Sequence, residues 1–207
     1  MFTGLIREIA QTTLSGDLLR IKASHRPKIG DSVAVNGACL TVVAVDKEGF
    51  SANLSYETQK SIAVENLNSK AHIEPAMALG DRLDGHIAQG HIDFIGSIEA
   101  IGASGSSKDF FIAAPKEAMR LIAPKGSIAI DGVSLTINEV FESAFRLTLI
   151  SHSLKNTLFC DYKVNRRVNI ETDLFARYAA RILDFGAAKA NGAGDRRMNV
   201  DRLAAIF

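Results

Sequence analysis

Two of the five histidines in this 207-residue sequence stand close together, His86 and His91 in the segment DGHIAQGHID. An imidazole can accept or donate a proton near neutral pH, so each is a candidate general base. Their spacing does not put both on one face of a helix, and no third ligand stands nearby, which argues against a metal site. Gly85 and Gly90 precede the two histidines and let the backbone approach another surface closely. These residue types favour proton transfer over metal chemistry.

Thiol and hydroxyl groups are the other candidates for chemistry. Cys39 follows the dipeptide Asn-Gly, and a single thiol in a strand is more often a small buried hydrophobe than a nucleophile. Strand propensity explains Thr41 and Thr136, and helix capping explains Asp173. Neither a Cys-His pair nor a Ser-His-Asp triad can be assembled from spacing alone.

An internal duplication predicts the architecture that positions these residues. SVAVNGACLTV, residues 32–42, aligns without a gap on SIAIDGVSLTI, residues 127–137, which sets Cys39 against Ser134. FTGLIREI resembles FIGSIEAI from Phe94 onward, which puts the start of the second copy near that residue. We expect one domain over residues 1–93 and a second over residues 94–172.

The histidine segment joins the two copies, where a cleft between domains would open. We therefore expect His91 to face that cleft. For His86 we expect a structural imidazole that is hydrogen-bonded at the junction.

Each copy alternates short β-branched runs with turn signals, such as SVAV, CLTVVAV and FSANLSY in the first copy. Asn36-Gly37 and Asp131-Gly132 are typical of tight hairpins, because both central residues of a type I′ turn need a positive φ. About six strands per copy predict a small antiparallel sheet that closes into a barrel and so removes its edges. The sequence thus predicts an all-β fold with two similar barrels in tandem.

Helices are few in this sequence. Short ones are expected within residues 57–66 and 115–123, and one longer helix over residues 173–186, with apolar residues at helical spacing. Its apolar face lies outside both copies and either packs on its own barrel or contacts another subunit. Residues 187–207 are rich in glycine and polar residues, which predicts a flexible tail.

Composition excludes several classes of protein. Lys and Arg number 24 against 23 Asp and Glu, so no overall charge attracts nucleic acid or an anionic membrane. The start MFTGLIREIAQ does not have the pattern of a leader peptide, and no apolar run has the length of a membrane span, so we expect a cytoplasmic protein. The two cysteines, Cys39 and Cys160, lie in different halves and form neither a disulfide framework nor a zinc pattern.

Several motifs in order resemble the riboflavin synthase alpha-chain family. The resemblance covers about residues 1–185 and rests on MFTGLIREI, SVAVNGACLTV, GHIAQGHID, PKGSIAIDGVSLTI and RRVNIETD. It implies two six-stranded Greek-key barrels followed by a helix through which three chains assemble. The implied reaction is a dismutation of two 6,7-dimethyl-8-ribityllumazine molecules to riboflavin and 5-amino-6-(D-ribitylamino)uracil, with no metal or other cofactor. Association of the trimer with a lumazine synthase capsid stays open.

The family's functional positions carry over residue by residue onto this sequence. The catalytic ones fall on Phe2, Ser32, Cys39, His91, Thr136 and Asp173. The first barrel is expected to bind lumazine through Gly4, Leu5, Ile6, Cys39, Leu40, Thr41, Asn53, Leu54, Ser55, Tyr56, Glu57 and Thr58. The second is expected to do so through Gly90, His91, Ile92, Lys125, Ser134, Leu135, Thr136, Leu149, Ile150, Ser151, His152, Ser153 and Leu154.

Roles for these residues follow from the chemistry of the implied reaction. His91, aided by Thr136, would remove a proton from the acidic C7 methyl group of one lumazine. Ser32 or Cys39, or a water that they hold, would add to C7 of the other lumazine, and Asp173 would shuttle protons.

The sequence departs from the family's pattern at three places: Phe94 replaces a glycine, residues 150–153 replace an IPHT turn, and SKAHIEPAM replaces GxxVNLERAL.

Two other classes of function compete with this interpretation. Some proteins of this fold hold a lumazine or flavin as a fluorescent antenna and catalyse nothing. A flavin-reductase-like barrel that uses a nicotinamide is disfavoured, because the sequence has no GxGxxG motif between a strand and a helix.

Overall fold

Two closed antiparallel barrels make up most of the computed structural model, which describes residues 1–190. The first barrel has the strand order β1-β2-β5-β4-β3-β6, and the second has the same order as β7-β8-β11-β10-β9-β12. The prediction of two six-stranded Greek-key barrels and a C-terminal helix is confirmed. The strands of the first barrel are β1 Glu8–Ser15, β2 Leu18–Lys22, β3 Ser32–Val35, β4 Ala38–Val45, β5 Gly49–Asn53 and β6 Lys70–Pro75. Those of the second are β7 Phe94–Ser104, β8 Ser107–Ala113, β9 Ser127–Ile130, β10 Val133–Val140, β11 Ala144–Leu149 and β12 Arg167–Thr172.

The two predicted hairpin turns meet where the barrels touch. Asn36 and Asp131 both have φ of 45°, and Gly37 and Gly132 both have φ of 81°, as type I′ turns require. A Cβ on Gly37 would stand 2.7 Å from the backbone nitrogen of Gly132, and one on Gly132 would stand 2.8 Å from that of Gly37. The duplicated turns therefore pack backbone to backbone, which only glycine allows.

The predicted alignment of Phe2 with Phe94 is wrong. Glu8 begins β1 opposite Ile73, and Phe94 begins β7 opposite Ile170, so Phe94 is the structural equivalent of Glu8. FTGLI lies before the barrel strand, where Phe2 forms an isolated bridge with Ala88. The correct equivalence therefore superposes TGLI, residues 3–6, on QGHI, residues 89–92.

Each barrel has its own apolar core. Phe50 and Leu19 are central to the first, and Phe110 and Phe145 to the second, all with at most 1% of their surface exposed. Burying a side chain of this size contributes about 1.5–3 kcal/mol. The segments before each barrel cross over, because Ile6 packs on the second core and Ile92 on the first.

The helices differ in length from the predicted ones. Where one helix was expected over residues 57–66, the chain forms α1, Tyr56–Ser61, followed by a 3-10 helix, Val64–Leu67. Where a second was expected over residues 115–123, it forms only α2, Lys116–Met119. A third short helix, α3, covers Ser151–Asn156, and the last, α4, covers Leu174–Ala190.

Helix α4 begins directly after Asp173, the residue predicted to cap it. The carboxylate of Asp173 accepts hydrogen bonds from the amides of Phe175 at 2.8 Å and Ala176 at 3.3 Å. The helix runs four residues past the predicted end, because one glycine, Gly186, costs only about 1 kcal/mol within a run of alanines. The rest of the predicted tail, residues 191–207, lies outside the described residues. None of the described helices is long and apolar enough to cross a membrane.

Candidate functional site

Cys39 and His91 line one open cavity of about 280 Å³ at the first barrel. Cys39 lies on β4, and His91 lies on the loop that joins the barrels. The amide of Cys39 donates a hydrogen bond to the carbonyl oxygen of Gly90 at 2.8 Å, which brings the loop to the strand. Gly90 has φ of 78°, and a Cβ there would lie 2.6 Å from the Cβ of Cys39. Only glycine at this position therefore allows the loop that carries His91 to approach the strand that carries Cys39. The cavity is lined by Ala38, Cys39, Ser55, Glu57, Thr58, Ser61, Ile62, Gly90, His91 and Ile92.

A buried carboxylate holds the backbone of this loop. Glu171 is 2% exposed and accepts hydrogen bonds from the amides of Gln89 at 2.6 Å and Gly90 at 2.9 Å. Burial raises the pKa of Glu171, while the two amide donors and the nearby charge of Arg177 act in the opposite direction. The loop is thus fixed by a group on β12 of the second barrel.

We call this arrangement a cradle: a strand amide bonded to the carbonyl of a glycine with positive φ, and a buried glutamate that binds two amides of the same loop. A second cradle lies at the other barrel. The amide of Ser134 donates to the carbonyl oxygen of Gly4 at 2.8 Å, and Gly4 has φ of 77°. Glu74, which is 4% exposed, accepts from the amides of Thr3 at 2.7 Å and Gly4 at 3.0 Å. In this second cradle Ser134 replaces Cys39, and Leu5 replaces His91. The backbone geometry is duplicated, whereas the reactive side chains are not.

The predicted division of binding residues between the barrels is therefore wrong for two segments. Gly4, Leu5 and Ile6 were expected at the first barrel, and Gly90, His91 and Ile92 at the second. In the structure the segment around Gly4 contacts the second barrel, and the segment around Gly90 contacts the first. Each segment therefore packs on the barrel opposite to the one whose first strand it precedes.

The other expected catalytic residues lie outside the cavity lining. Phe2 is 1% exposed and packs behind the cavity, against Ala34, Ala88 and Cys39. Ser32 pairs with Thr41 across β3 and β4, and Thr136 pairs with Ser127 at the equivalent place in the second barrel. Asp173 caps helix α4. One chain thus groups Cys39 with His91 and leaves Ser32, Thr136 and Asp173 elsewhere.

The remaining expected binding residues fall into two groups. Leu40, Leu54 and Leu149 are at most 4% exposed and belong to the cores, so only their backbone atoms could reach a ligand. The other group has accessible surface and consists of Asn53, Tyr56, Lys125, Leu135, Ile150, Ser151, His152, Ser153 and Leu154.

His86 is hydrogen-bonded at the junction, as expected. Its Nδ1 lies 2.7 Å from the Oγ of Ser134, and burial lowers its pKa, which the charge of Asp173 partly opposes. Within residues 1–190, the Nε2 of His86 has no hydrogen-bond partner.

Sequence reasoning missed the charged residues that support the site. Glu74 and Glu171 occupy equivalent places in the duplicated segments HIEP and NIET, so the repeat itself contained the signal. Arg177 gave no comparable signal, because it lies on a helix that only one copy has. In the described part of the chain, no three His, Cys, Asp or Glu side chains are grouped so that they could hold a metal ion.

Comparison with known proteins decides the family. The sequence model of the lumazine binding domain matches residues 3–74 and again residues 89–173. A riboflavin synthase of Photobacterium phosphoreum is 37% identical over 88% of this chain and 89% of its own length. That of Bacillus subtilis is 35% identical over 88% and 90% of the two chains. This chain belongs to the riboflavin synthase family.

Solved structures similar to this chain show the same fold. LumP complexed with riboflavin superposes with a TM-score of 0.73 at 21% identity, covering 83% of this chain and 99% of LumP. LumP complexed with 6,7-dimethyl-8-(1'-D-ribityl) lumazine superposes with a TM-score of 0.70 at 18% identity. Members of the family and these neighbours thus share the pair of barrels.

Proposed function

We propose that this protein is a riboflavin synthase, which converts two molecules of 6,7-dimethyl-8-ribityllumazine into riboflavin and 5-amino-6-(D-ribitylamino)uracil. The observation that carries the proposal is the pair of equivalent cradles, one with Cys39 and His91 and the other with Ser134 and Leu5. Two like sites suit two identical substrates, and the unlike side chains suit the two different roles that these substrates must take. The names of the relatives, which are riboflavin synthases, support this reaction.

His91 is the base in this proposal. Its ring is exposed at the cavity, where it can remove a proton from the C7 methyl group of a lumazine. The resulting carbanion attacks the second lumazine, whose C7 has accepted a nucleophile from Cys39, Ser32 or a water molecule. Thr136 assists with its hydroxyl group, and Asp173 shuttles protons. A four-carbon unit moves from one ring to the other, so no external oxidant or reductant is needed.

The complete site lies between two protomers of a homotrimer. Ser32, Thr136 and Asp173 do not line the Cys39 cavity of their own chain, which supports a second chain supplying part of the catalytic set. Helix α4 offers the contact, because its outer face carries large apolar side chains in solvent. Their exposed fractions are 67% for Phe175, 60% for Tyr178, 71% for Ile182 and 72% for Leu183. The first barrel of one protomer then faces the second barrel of its neighbour, which holds both lumazines together and lowers the entropic barrier.

A product assay tests the reaction directly. Purified protein is mixed with the lumazine without metal or nicotinamide, and the absorption of riboflavin is followed together with the loss of lumazine. One riboflavin for every two lumazines is expected, with a trimer mass by light scattering. Tight binding with unchanged lumazine would favour the antenna function instead, and lumazine-dependent oxidation of added NADH would favour a reductase. The cytoplasmic location and an association with a lumazine synthase capsid stay predictions.

A further inference from the structure

Arg177, in the first turn of helix α4, forms hydrogen bonds to the loop that carries His91 on both sides of that residue. Its Nη2 donates to the side-chain oxygen of Gln89 at 3.1 Å, and its Nη1 donates to the carboxylate of Asp93 at 3.0 Å. Nη2 also lies 3.5 Å from the carboxylate of Glu171. The guanidinium thus spans the two residues that stand two positions before and two positions after His91. The planar fork of arginine suits such a bridge between two acceptors.

The far end of the loop is anchored as firmly as the near end. The carboxylate of Asp93 accepts from the amide of Thr172 at 2.8 Å and from its hydroxyl at 2.7 Å. Asp93 also donates its amide to the carbonyl oxygen of Ile170 at 3.0 Å. Arg177 and Asp93 are 21% and 18% exposed, so water screens their ion pair less than it screens a surface pair. Arg177 thus joins the first turn of α4 to both ends of the His91 loop.

In the described part of the chain, no arginine bridges the equivalent loop of the other cradle in this way. Gly80 stands six residues after Glu74, as Arg177 stands six residues after Glu171, and Arg7 takes the place of Asp93. Arg7 is exposed, and Leu5 takes the place of the histidine. The guanidinium therefore serves the cradle that has His91.

We propose that Arg177 is a positioning residue for the reaction, which fixes the His91 loop and couples its position to the assembly helix α4. This inference rests on the proposed function of His91. The ring of His91 is exposed, so the backbone of its loop sets where the imidazole stands relative to substrate. A misplaced base lowers the rate of proton transfer more than it lowers the affinity for substrate.

The test compares Arg177→Met with Arg120→Met. Arg120 forms the other ion pair that ties α4 to the second barrel, to Asp184 at 2.7 Å, and lies away from the His91 loop. Arg177→Met should lower kcat about 10- to 100-fold with KM changed less than about threefold, because the base is displaced by a fraction of an ångström or more. Arg120→Met should keep kcat within about twofold, as an exposed pair contributes little. Arg177→Lys should restore part of kcat, since an ammonium keeps the positive charge but lacks the planar fork that spans both acceptors.

Hydrogen exchange separates loop position from activity. The amide of Gly90, which Glu171 protects, should exchange faster in Arg177→Met than in wild type, at unchanged trimer mass. Unchanged exchange at Gly90, or equal kcat in Arg177→Met and Arg120→Met, overturns the inference. If Arg177→Met does not fold, Gln89→Met removes one contact of Arg177 and should lower kcat in the same direction, and a full rate there overturns the inference. Wild-type protein without turnover would instead refute the proposed function, and a fully active His91→Gln would refute the role of His91 as the base. In both cases the exchange result still tests whether Arg177 fixes the loop.

Discussion

Acid should weaken the contact between the two barrels through one buried histidine. His72 on β6 is 1% exposed and reaches into the second barrel. Its Nε2 accepts a hydrogen bond from the amide of Leu158 at 2.7 Å, and its Nδ1 lies 2.9 Å from the carbonyl oxygen of Asp131. Because a backbone amide can only donate, Nε2 must be unprotonated and Nδ1 must carry the proton. A second proton would remove the acceptor for Leu158, so the fold requires a neutral ring.

The size of the effect follows from the pKa of His72. Burial lowers this pKa to about 4, the charge of Arg166 acts in the same direction, and the hydrogen bond with Asp131 opposes them. In an unfolded chain a histidine titrates at about 6.5. Stability from the neutral ring is fully present above about pH 6.5 and is lost as the pH falls, because only the unfolded state then binds the proton. The loss is about 2 kcal/mol at pH 5 and about 3 kcal/mol near pH 4.

His72→Asn is the matched variant. Asn169 is the equivalent residue of the second copy, and it accepts from the amide of Ala63 at 2.7 Å and donates to the carbonyl oxygen of Asn36 at 2.8 Å. An asparagine can therefore make both contacts of His72 without titrating. Urea unfolding at pH 7 and pH 5, at one fixed protein concentration, should show wild type losing about 2 kcal/mol more than the variant. Equal losses in the two proteins would refute the reasoning, since all other titrating groups are common to both.

Three further changes test the site. His91→Gln should lower turnover about 10²- to 10⁴-fold with little change in substrate affinity, whereas His86→Gln should lower stability and change the kinetics mildly; steady-state rates with the reverse order would exchange the two assignments. A chelator should leave riboflavin formation unchanged, and activity that disappears with the chelator and returns with one metal would contradict this. Removal of the residues after Ala187 should keep activity in the product assay, whereas a cut before Leu174 should abolish it together with the trimer.

Local chemistry made the barrels predictable from the sequence. A type I′ turn depends on two adjacent residues, so Asn36-Gly37 and Asp131-Gly132 predicted both hairpins correctly. The alignment of the two segments at the barrel starts was predicted wrongly, because the resemblance of FTGLIREI to FIGSIEAI reflects similar side chains in different structural positions. The true equivalence rests on contacts of Glu74 and Glu171 with amides some 70 to 80 residues away, which no local pattern shows.

The membership of the site was easier to predict than its arrangement. Resemblance supplied Cys39 and His91, and the structure brings both to one cavity. It could not show that the segments around Gly4 and Gly90 contact the opposite barrel, since the position of a segment along the chain does not determine which barrel it contacts. It could not show Arg177 either, because its contacts join a helix to a loop that lies 84 to 88 residues earlier in the chain.

Duplication by itself makes two equal sites, whereas transfer of a four-carbon unit between identical molecules requires unequal ones. One lumazine must lose a methyl proton, and the other must accept a nucleophile. Both cradles keep the groups that set backbone geometry, namely a glycine with positive φ and a buried glutamate that binds two amides. They differ in the side chains to which we assign the reaction or the positioning of the base, with Cys39, His91 and Arg177 in one and Ser134 and Leu5 in the other. With the roles proposed here, the shared backbone contacts fix the position of each substrate, and a few side chains decide which substrate donates the four-carbon unit and which accepts it.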